Sequence, residues 1–467
     1  MGAAGPVGPP ARRTPCTASL SAQPRRLGRI VTTDVVVVGA GVTGLAAASE
    51  LVRAGLRVRV LEARNRTGGR IHTIRDPSPP HPLELGAEFV HELTPALRAL
   101  LDDTGIELIP LEGEQWRADG GRLTRDERTF ERITKIIERL GRTVPPDRSV
   151  ADSLELLDNL NEQERGQVLQ YVRGFHAADP ARASVAAIAD AEANGSGGAS
   201  GDQYRVHGGY AAVVDALAAR LPADALVFDA RVARINWRVG DARITSFNAH
   251  GEARTHVASS VVITVPLGVL TAAAPDIDIE PQPPVLAWTG EALAMGSALR
   301  VLLQFRERFW VDLRDERGNS AASASFFHTT SARLPVWWTQ HPRDVPLLTG
   351  WEGGPHAAEL SALDDAALRA VALDVLAEQL GVDRMHLDDL LVGFWRSRWD
   401  TDPYARGAYS YVLTGGLEFA GSITQPVGDT LYLAGEACVG GAARGTVHGA
   451  LASGLAVAQQ VLSRVAR

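Results

Sequence analysis

The chain has 467 residues, which at roughly 100–200 residues per domain is two or three domains with length to bury a large core. With 45% hydrophobic and 22% charged residues it has the composition of a globular protein and is too apolar for a disordered one. A net charge of −8 argues against a general nucleic-acid-binding surface, two cysteines (Cys16 and Cys438) build no disulfide framework, no Cys/His cluster points to a metal, and no apolar run reaches the length of a membrane span.

Residues 1–33 are rich in Pro, Gly, Ala and Arg. The pairs Arg12-Arg13 and Arg25-Arg26 lack the apolar stretch that a twin-arginine export signal needs, so this segment reads as a disordered tail and the protein as cytoplasmic. Asp34 to Glu62 reads as a βαβ unit. The run Val35-Val36-Val37-Val38 suits a parallel strand buried on both faces, Leu45 to Ala54 is Ala-rich and helical with Gly55 to cap it, and Val58 and Val60 begin a second strand. From Pro95 to about Ala191 the pattern is mostly helical and polar. Residues 194–201, NGSGGASG, read as a flexible loop, and Tyr204 to Leu221 as an HGGY turn and an amphipathic helix. Residues 226–265 alternate like strands, with Val227, Val232, Ile235 and Ile244 apolar, and Val261 to Val265 is a buried strand ended by Pro266. Ser361 to Leu380 has helical periodicity, Leu431 to Ala434 is a short strand, and Thr446 to Val465 is a last helix with a core stripe at Leu451, Leu455, Ala458 and Leu462. There is no internal repeat.

The spacing Gly39-x-Gly41-x-x-Gly44 follows a buried strand, opens a helix and meets an acid, Glu62, at the end of the next strand. That context marks a dinucleotide site. The glycines permit a tight turn, close approach of a pyrophosphate and close helix–strand packing. The helix N-terminus offers free N–H groups, and Glu62 can accept hydrogen bonds from ribose hydroxyls.

The residues after Glu62 separate FAD from NAD. Residues 62–70, EARNRTGGR, resemble a signature of flavoproteins with a glutathione-reductase-like nucleotide fold, in which a second glycine pair and an arginine cover the FAD phosphates. Gly68, Gly69 and Arg70 match it, Arg70 offering a planar fork for phosphate oxygens, and Arg64 belongs to the same turn. Residues 84–92 (ELGAEFVHE), 406–411 (RGAYSY), 434–436 (AGE) and 445–454 (GTVHGALASG) extend the likeness. Together they resemble the flavin-containing amine oxidase family, which includes monoamine oxidases, polyamine oxidases and lysine-specific histone demethylases, in the expected order over about 34–467.

The resemblance implies an α/β fold. Its FAD-binding Rossmann domain is glutathione-reductase-like and discontinuous, near 34–92, 205–290 and 425–467, and an inserted α+β substrate-binding domain takes 93–204 and 291–424. It implies FAD, a small-molecule amine substrate and O2, with Ala408 making the FAD non-covalent; charge and hydropathy argue against nucleic acid and membrane as partners, and the oligomeric state stays open. Carried over by position, Gly86 and Ala87 contact the flavin ring through their backbone and Val232 contacts the adenine end. Trp399 lies against the flavin, Gly435 and Glu436 hold the ribityl or pyrophosphate region, and Val447 begins the helix under the flavin pyrimidine, where a helix N-terminus favours negative charge.

Three positions depart from the family's pattern. Where monoamine oxidases carry the cysteine that bonds to flavin, this chain has Ala408, before the cage residue Tyr409; Cys438 reads as a buried thiol. The second cage position is Thr446, which leaves room for a substituted or bulky amine. The lysine that holds a water near the flavin is replaced by Arg300, in a chain whose only lysine is Lys135. Alternation there puts Leu299, Val301, Leu303 and Phe305 on one face and Arg300, Leu302 and Gln304 on the other. Glu88, His91 and Glu92 come after the flavin-contacting turn and read as groups that attract an ammonium-bearing chain, Glu92 also suiting a helix start. Arg300, Tyr409 and His91 are the candidate catalytic residues. The expected reaction is FAD-dependent oxidation of a polyamine-like or bulky amine to an imine and then an aldehyde, with O2 reduced to H2O2. Alternatives are a flavin dehydrogenase or desaturase, an L-amino-acid oxidase with Arg300 as the carboxylate anchor, or a flavin-bound interaction scaffold.

Overall fold

A computed structural model describes residues 30–466 except 76–80, 127–128, 143–145, 195–202 and 273–275. The tail assigned to 1–33 and the loop at 194–201 therefore lie almost wholly outside the described residues. At the tail's end, residues 30–32 form a short strand paired in parallel with 253–258, so ordered structure begins before Asp34.

The run of four valines, Val35–Val38, is buried throughout and sits at the centre of a parallel sheet. Its strand order is Leu226–Val227, Val58–Leu61, Val35–Val38, Ser260–Ile263 and Leu431–Leu433. Strands so buried on both faces need apolar side chains at every position, which explains the continuous runs. The helices Val42–Arg53 and Val447–Val465 pack together beside this sheet, tied by the Thr43 hydroxyl donating to Ala450 O at 2.9 Å. Leu451 and Ala458 are buried and Leu455 and Leu462 partly buried, as the stripe predicts. No helix of the described residues is long and apolar enough to cross a membrane.

A seven-stranded sheet forms the second layer system, in the order Leu391–Arg396, Ala298–Phe305, Leu347–Gly353, Val336–Trp338, Ala324–Thr329, Glu114–Asp119 and Arg122–Arg125. Leu299, Val301, Leu303 and Phe305 join the core beneath the helix Asp365–Leu380, while Arg300 and Gln304 are buried on the opposite face, as the alternation predicts. The helix expected over 361–380 is Asp365–Leu380, starting four residues later because the Asp364 carboxylate caps Ala367 N–H, and a separate helix, Pro355–Ser361, precedes it.

The mostly helical stretch expected over 95–191 begins with the helix Pro95–Thr104 but departs from expectation between 108 and 125. Leu108–Pro110, Glu114–Asp119 and Arg122–Arg125 are strands, the last two a hairpin with Asp119 opposite Arg122. Gly120 and Gly121 both have positive φ, the demand of a two-residue hairpin turn, so the Asp-Gly-Gly triplet was a legible signal overlooked. The helices Thr129–Arg142, Val150–Glu155, Glu162–His176 and Val185–Asn194 come next in the chain.

Candidate active site

A cavity of about 860 Å³ runs from the glycine turn after Val38 to the seven-stranded sheet. Every proposed site residue lines it except Gly44, which stands behind the turn: a Cβ there would lie 2.0 Å from Gly39 O. Gly86 is constrained in the same way, 1.7 Å from Arg70 O.

At one end the helix Val42–Arg53 begins at Gly41 with no side-chain cap, which leaves first-turn N–H groups for an anion. Glu62, 4% exposed, accepts from Ala40 N–H at 2.8 Å and Arg64 N–H at 2.9 Å and so is fixed at the strand end. The Arg64 guanidinium is engaged by Asp402 at 2.6 Å and lies over the Tyr404 ring, so it braces the turn rather than reaching for a ligand. Arg70 donates through Nη1 to Glu436 at 2.8 Å and to Ala408 O at 2.7 Å. Glu436 also accepts from Ser410 N–H at 3.2 Å and the Ser410 hydroxyl at 2.7 Å. Burial pushes its carboxyl up, but Arg70 and Ser410 outweigh that and hold it below the usual carboxylate range. Glu436, expected to hold the cofactor, thus also orients Arg70. The fit to FAD rests on space and donors: Gly41 has nothing nearer than 4.0 Å to a would-be Cβ and Gly435 nothing within that range, so a side chain at either would fill the cradle.

At the other end, Trp399 is fixed by Nε1 donating to Leu85 O at 2.9 Å, and Tyr409 by its hydroxyl donating to Phe175 O at 2.9 Å. Burial pushes the Tyr409 hydroxyl up, so it stays neutral. Gly445 backs onto the Tyr409 ring, where a Cβ would come within 3.0 Å. Thr446 is the N-cap of Val447–Val465, accepting from Gly449 N–H at 3.0 Å and donating to Ala443 O at 2.7 Å. The side chain at the second cage position is thus committed to the helix. Ala408 lines the cavity where a cysteine would be needed for a flavin bond, and Cys438 is a thiol, its pKa pushed up to about 12 by burial.

Arg300 and Glu88 line the cavity and are paired with each other. Arg300, 4% exposed, donates through Nη1 to Glu84 O at 2.9 Å and to Glu88 Oε2 at 3.1 Å, with its guanidinium 5.1 Å from the Trp338 ring. Glu88, 5% exposed, also accepts from Arg205 Nε at 2.7 Å, Trp338 Nε1 at 3.0 Å and Gln340 Nε2 at 3.1 Å. Burial pushes the Glu88 carboxyl up, and Arg205 and Arg300 pull it below the usual range. A carboxylate with four donors is a structural anion, not a lure for ammonium. Arg205, Trp338 and Gln340 were missed from sequence; the only hint was an arginine between apolar residues in the strand Tyr204–Val206. His91 is driven down to about 4 by burial and is neutral, with Nδ1 unpartnered. Glu92 is partly exposed and stands 3.7 Å from His448 Nε2, three residues before the helix Pro95–Thr104, whose cap is Thr94. Val232 lies at the opposite end, in the strand Arg231–Arg238. No group of three metal-ligating side chains is present among the described residues.

This cradle, opening onto an aromatic end, is that of an FAD-dependent amine oxidoreductase. Residues 42–462 match the family described as flavin containing amine oxidoreductase, and the chain belongs to it. Polyamine oxidase 2 of Arabidopsis thaliana is 30% identical over 468 residues, covering 92% of this chain and 88% of its own. Putrescine oxidase of Kocuria rosea is 28% identical over 478 residues, covering 92% and 95%. Among solved structures, wild-type putrescine oxidase bound to putrescine superposes with a TM-score of 0.76 at 23% identity, covering 93% of this chain and all of the other. Cyclohexylamine oxidase from Brevibacterium oxydans does so equally well, and at this identity both speak for the fold alone. The cofactor is FAD, held without a covalent bond.

Proposed function

We propose that the chain oxidises a small-molecule amine at the carbon next to nitrogen, that the imine hydrolyses to an aldehyde, and that O2 is the acceptor and leaves as H2O2. The observation that carries this is the continuity of one cavity from the glycine cradle to Tyr409 and Trp399. The relatives' names bring polyamines, putrescine and cyclohexylamine within the substrate range. FAD, when bound, supplies the electron acceptor. The chain's own residues do the rest. Gly41 and the helix it opens receive the phosphates, Arg70 is aimed by Glu436, and Trp399 and Tyr409 wall the reacting end. The Val447 and His448 N–H groups precede the capped Gly449 and present a positive dipole end to the cavity. The L-amino-acid oxidase alternative loses ground because Arg300, its proposed carboxylate anchor, already pairs with Glu88.

An aerobic peroxide-coupled screen of monoamines, diamines, spermine and amino acids, run beside anaerobic flavin bleaching, tests the reading. Peroxide formed in step with amine consumed is the expected result. Bleaching by amine without peroxide under air would make the protein a dehydrogenase with another acceptor.

A further inference from the structure

One arginine on the cavity wall lacks a partner among the described residues. Of the arginines that line the cavity, Arg64 pairs with Asp402, Arg70 with Glu436 and Arg300 with Glu88, Arg444 donates to Ala437 O, and Arg231 lies over the Phe247 ring. Arg117 alone makes no side-chain hydrogen bond, ion pair or ring contact with any described residue. It stands in the strand Glu114–Asp119, directly opposite His328 of the strand Ala324–Thr329. Three ring contacts lead from there to the reacting end: His328 to Phe130 at 5.0 Å, Phe130 to Tyr171 at 5.9 Å, and Tyr171 to Phe175 at 5.2 Å, whose carbonyl accepts the Tyr409 hydroxyl. Phe326 stacks on His328 at 6.1 Å, so the wall between the two ends is aromatic and Arg117 stands at the far one.

The same end offers further donors. His328 Nε2 donates to the Gln115 carbonyl at 2.8 Å, and on the helix that carries Tyr171 the Gln167 carbonyl accepts from Arg132 Nη2 at 2.7 Å, which leaves the amide NH2 of both glutamines for a ligand.

Four carboxylates besides Glu88 line this part of the cavity. Glu192 accepts from the Tyr171 hydroxyl at 2.9 Å and contacts His176 Nε2 at 3.0 Å. A Cβ on Gly441 would lie 3.6 Å from Asp190 Oδ2, and Glu92 stands 3.7 Å from His448 Nε2, so both neighbour the segment 441–448 rather than the strand of Arg117. Asp126 does share a neighbour with Arg117, both acting on the His328 imidazole. It is bonded to the start of the helix Thr129–Arg142, accepting from Thr129 N–H at 3.1 Å and the Thr129 hydroxyl at 2.6 Å, and makes no ion pair with Arg117. A second ammonium carried to this end would meet a guanidinium. A carboxylate would meet a planar fork flanked by amide donors.

We infer that Arg117 anchors the substrate: it receives a carboxylate at the far end of a chain whose amine is oxidised beside Tyr409, so the preferred substrate is an ω-amino carboxylic acid rather than a diamine of the same length. The inference rests on the amine oxidation proposed above and adds the substrate's second charge. It differs from α-amino-acid oxidation, in which the carboxylate sits on the reacting carbon.

The test is anaerobic stopped-flow reduction of the FAD-loaded protein by three amines of equal length, 8-aminooctanoate, octylamine and 1,8-diaminooctane. The second-order constant for flavin reduction should be about tenfold higher for the aminocarboxylate than for either of the others, the size of one charge-assisted contact that is partly screened. In Arg117→Gln the ratio of the constants for 8-aminooctanoate and octylamine should fall about tenfold, and in Arg117→Lys it should fall less, since the charge stays while the fork is lost. Raising the ionic strength should lower the same ratio in the unaltered protein, which tests the contact even where a variant loses flavin. A ratio near one in the unaltered protein, a ratio that does not change in flavin-replete Arg117→Gln, faster reduction by the diamine, or reduction only by amines other than these three overturns the anchor and leaves amine oxidation standing. Reduction by no amine at all overturns both.

Discussion

Removing Arg300 isolates the energetics of the buried cluster. Arg300→Met keeps an unbranched chain of similar length, so packing against Trp338 and Trp351 is largely retained while the charge is lost. Glu88 would keep Arg205, Trp338 and Gln340 but lose one of two arginines, and Glu84 O would lose a donor. Breaking a buried ion pair from one side costs about 3–5 kcal/mol, and the surviving Arg205 places the expected loss near the lower end, about 3 kcal/mol. Glu88→Gln alone leaves both arginines without a carboxylate and the double variant leaves only Arg205 so, and the double variant should therefore lose about 2 kcal/mol less than the sum of the single losses. Urea unfolding of the four proteins in a double-mutant cycle, followed by tryptophan fluorescence and by flavin release, measures this. Single losses below about 1 kcal/mol that simply add would show that Arg300 and Glu88 are not one electrostatic unit.

Acid precipitation should release all yellow colour into the supernatant, because Ala408 offers no sulfur; flavin left in the pellet would contradict this. Glu62→Ala should lower FAD occupancy as isolated and release Ala40 N–H and Arg64 N–H from their shared acceptor, and full occupancy in the variant would remove Glu62 from the ribose role. His91 and His328 have folded-state pKa values of about 4 against an ordinary 6.5, both lowered chiefly by burial. Neutral imidazole is thus favoured in the fold, and the stability it confers is present above pH 6.5 and lost as pH falls toward 4. By pH 5 each site should have cost up to about 2 kcal/mol, visible as a falling Tm between pH 7 and 5. A flat profile over that range, or no flattening in His328→Gln, would refute the assignment.

The nucleotide cradle was legible because it is local. The valine run, the glycine spacing, Glu62 and the second glycine pair all fall within 34–70, where period and turn chemistry act directly. Ala408 was informative for the same reason, being one residue beside a recognisable neighbour. The features that stayed hidden depend on contacts between distant segments. Glu88 looked like a substrate carboxylate because its partners Arg205, Arg300, Trp338 and Gln340 lie 117 to 252 residues away. Nothing in the sequence singles out Phe130, Tyr171 or Phe326, and only the helices Thr129–Arg142 and Glu162–His176 meeting the strand Ala324–Thr329 bring them onto one wall. The missed hairpin at 114–125 is a different failure, since polar residues masked its alternation while its turn was plain.

The charge balance of the cluster fixes the sign of its effect on oxygen. One carboxylate, Glu88, faces two arginines, Arg205 and Arg300, so the cluster holds a surplus positive charge at the cavity wall. Glu84 offsets only part of that surplus near neutral pH, its carboxyl being raised to about 7 by burial. A fixed surplus cation stabilises negative charge developing on oxygen as the reduced cofactor is reoxidised, and costs no reorganisation at that moment. Arg300→Met cancels the surplus and should slow reoxidation about tenfold, roughly 1.4 kcal/mol. Glu88→Gln enlarges the surplus and should leave reoxidation as fast or faster, even though it too lowers stability. Arg300→Lys keeps the charge, and because Nη1 alone makes both of the arginine's side-chain bonds, a single ammonium can replace it with a mild effect. Stopped-flow mixing of pre-reduced enzyme with oxygen separates these cases from effects on amine oxidation. The opposite responses of Arg300→Met and Glu88→Gln are the signature: if both slow reoxidation alike, the cluster acts by holding shape rather than by its charge.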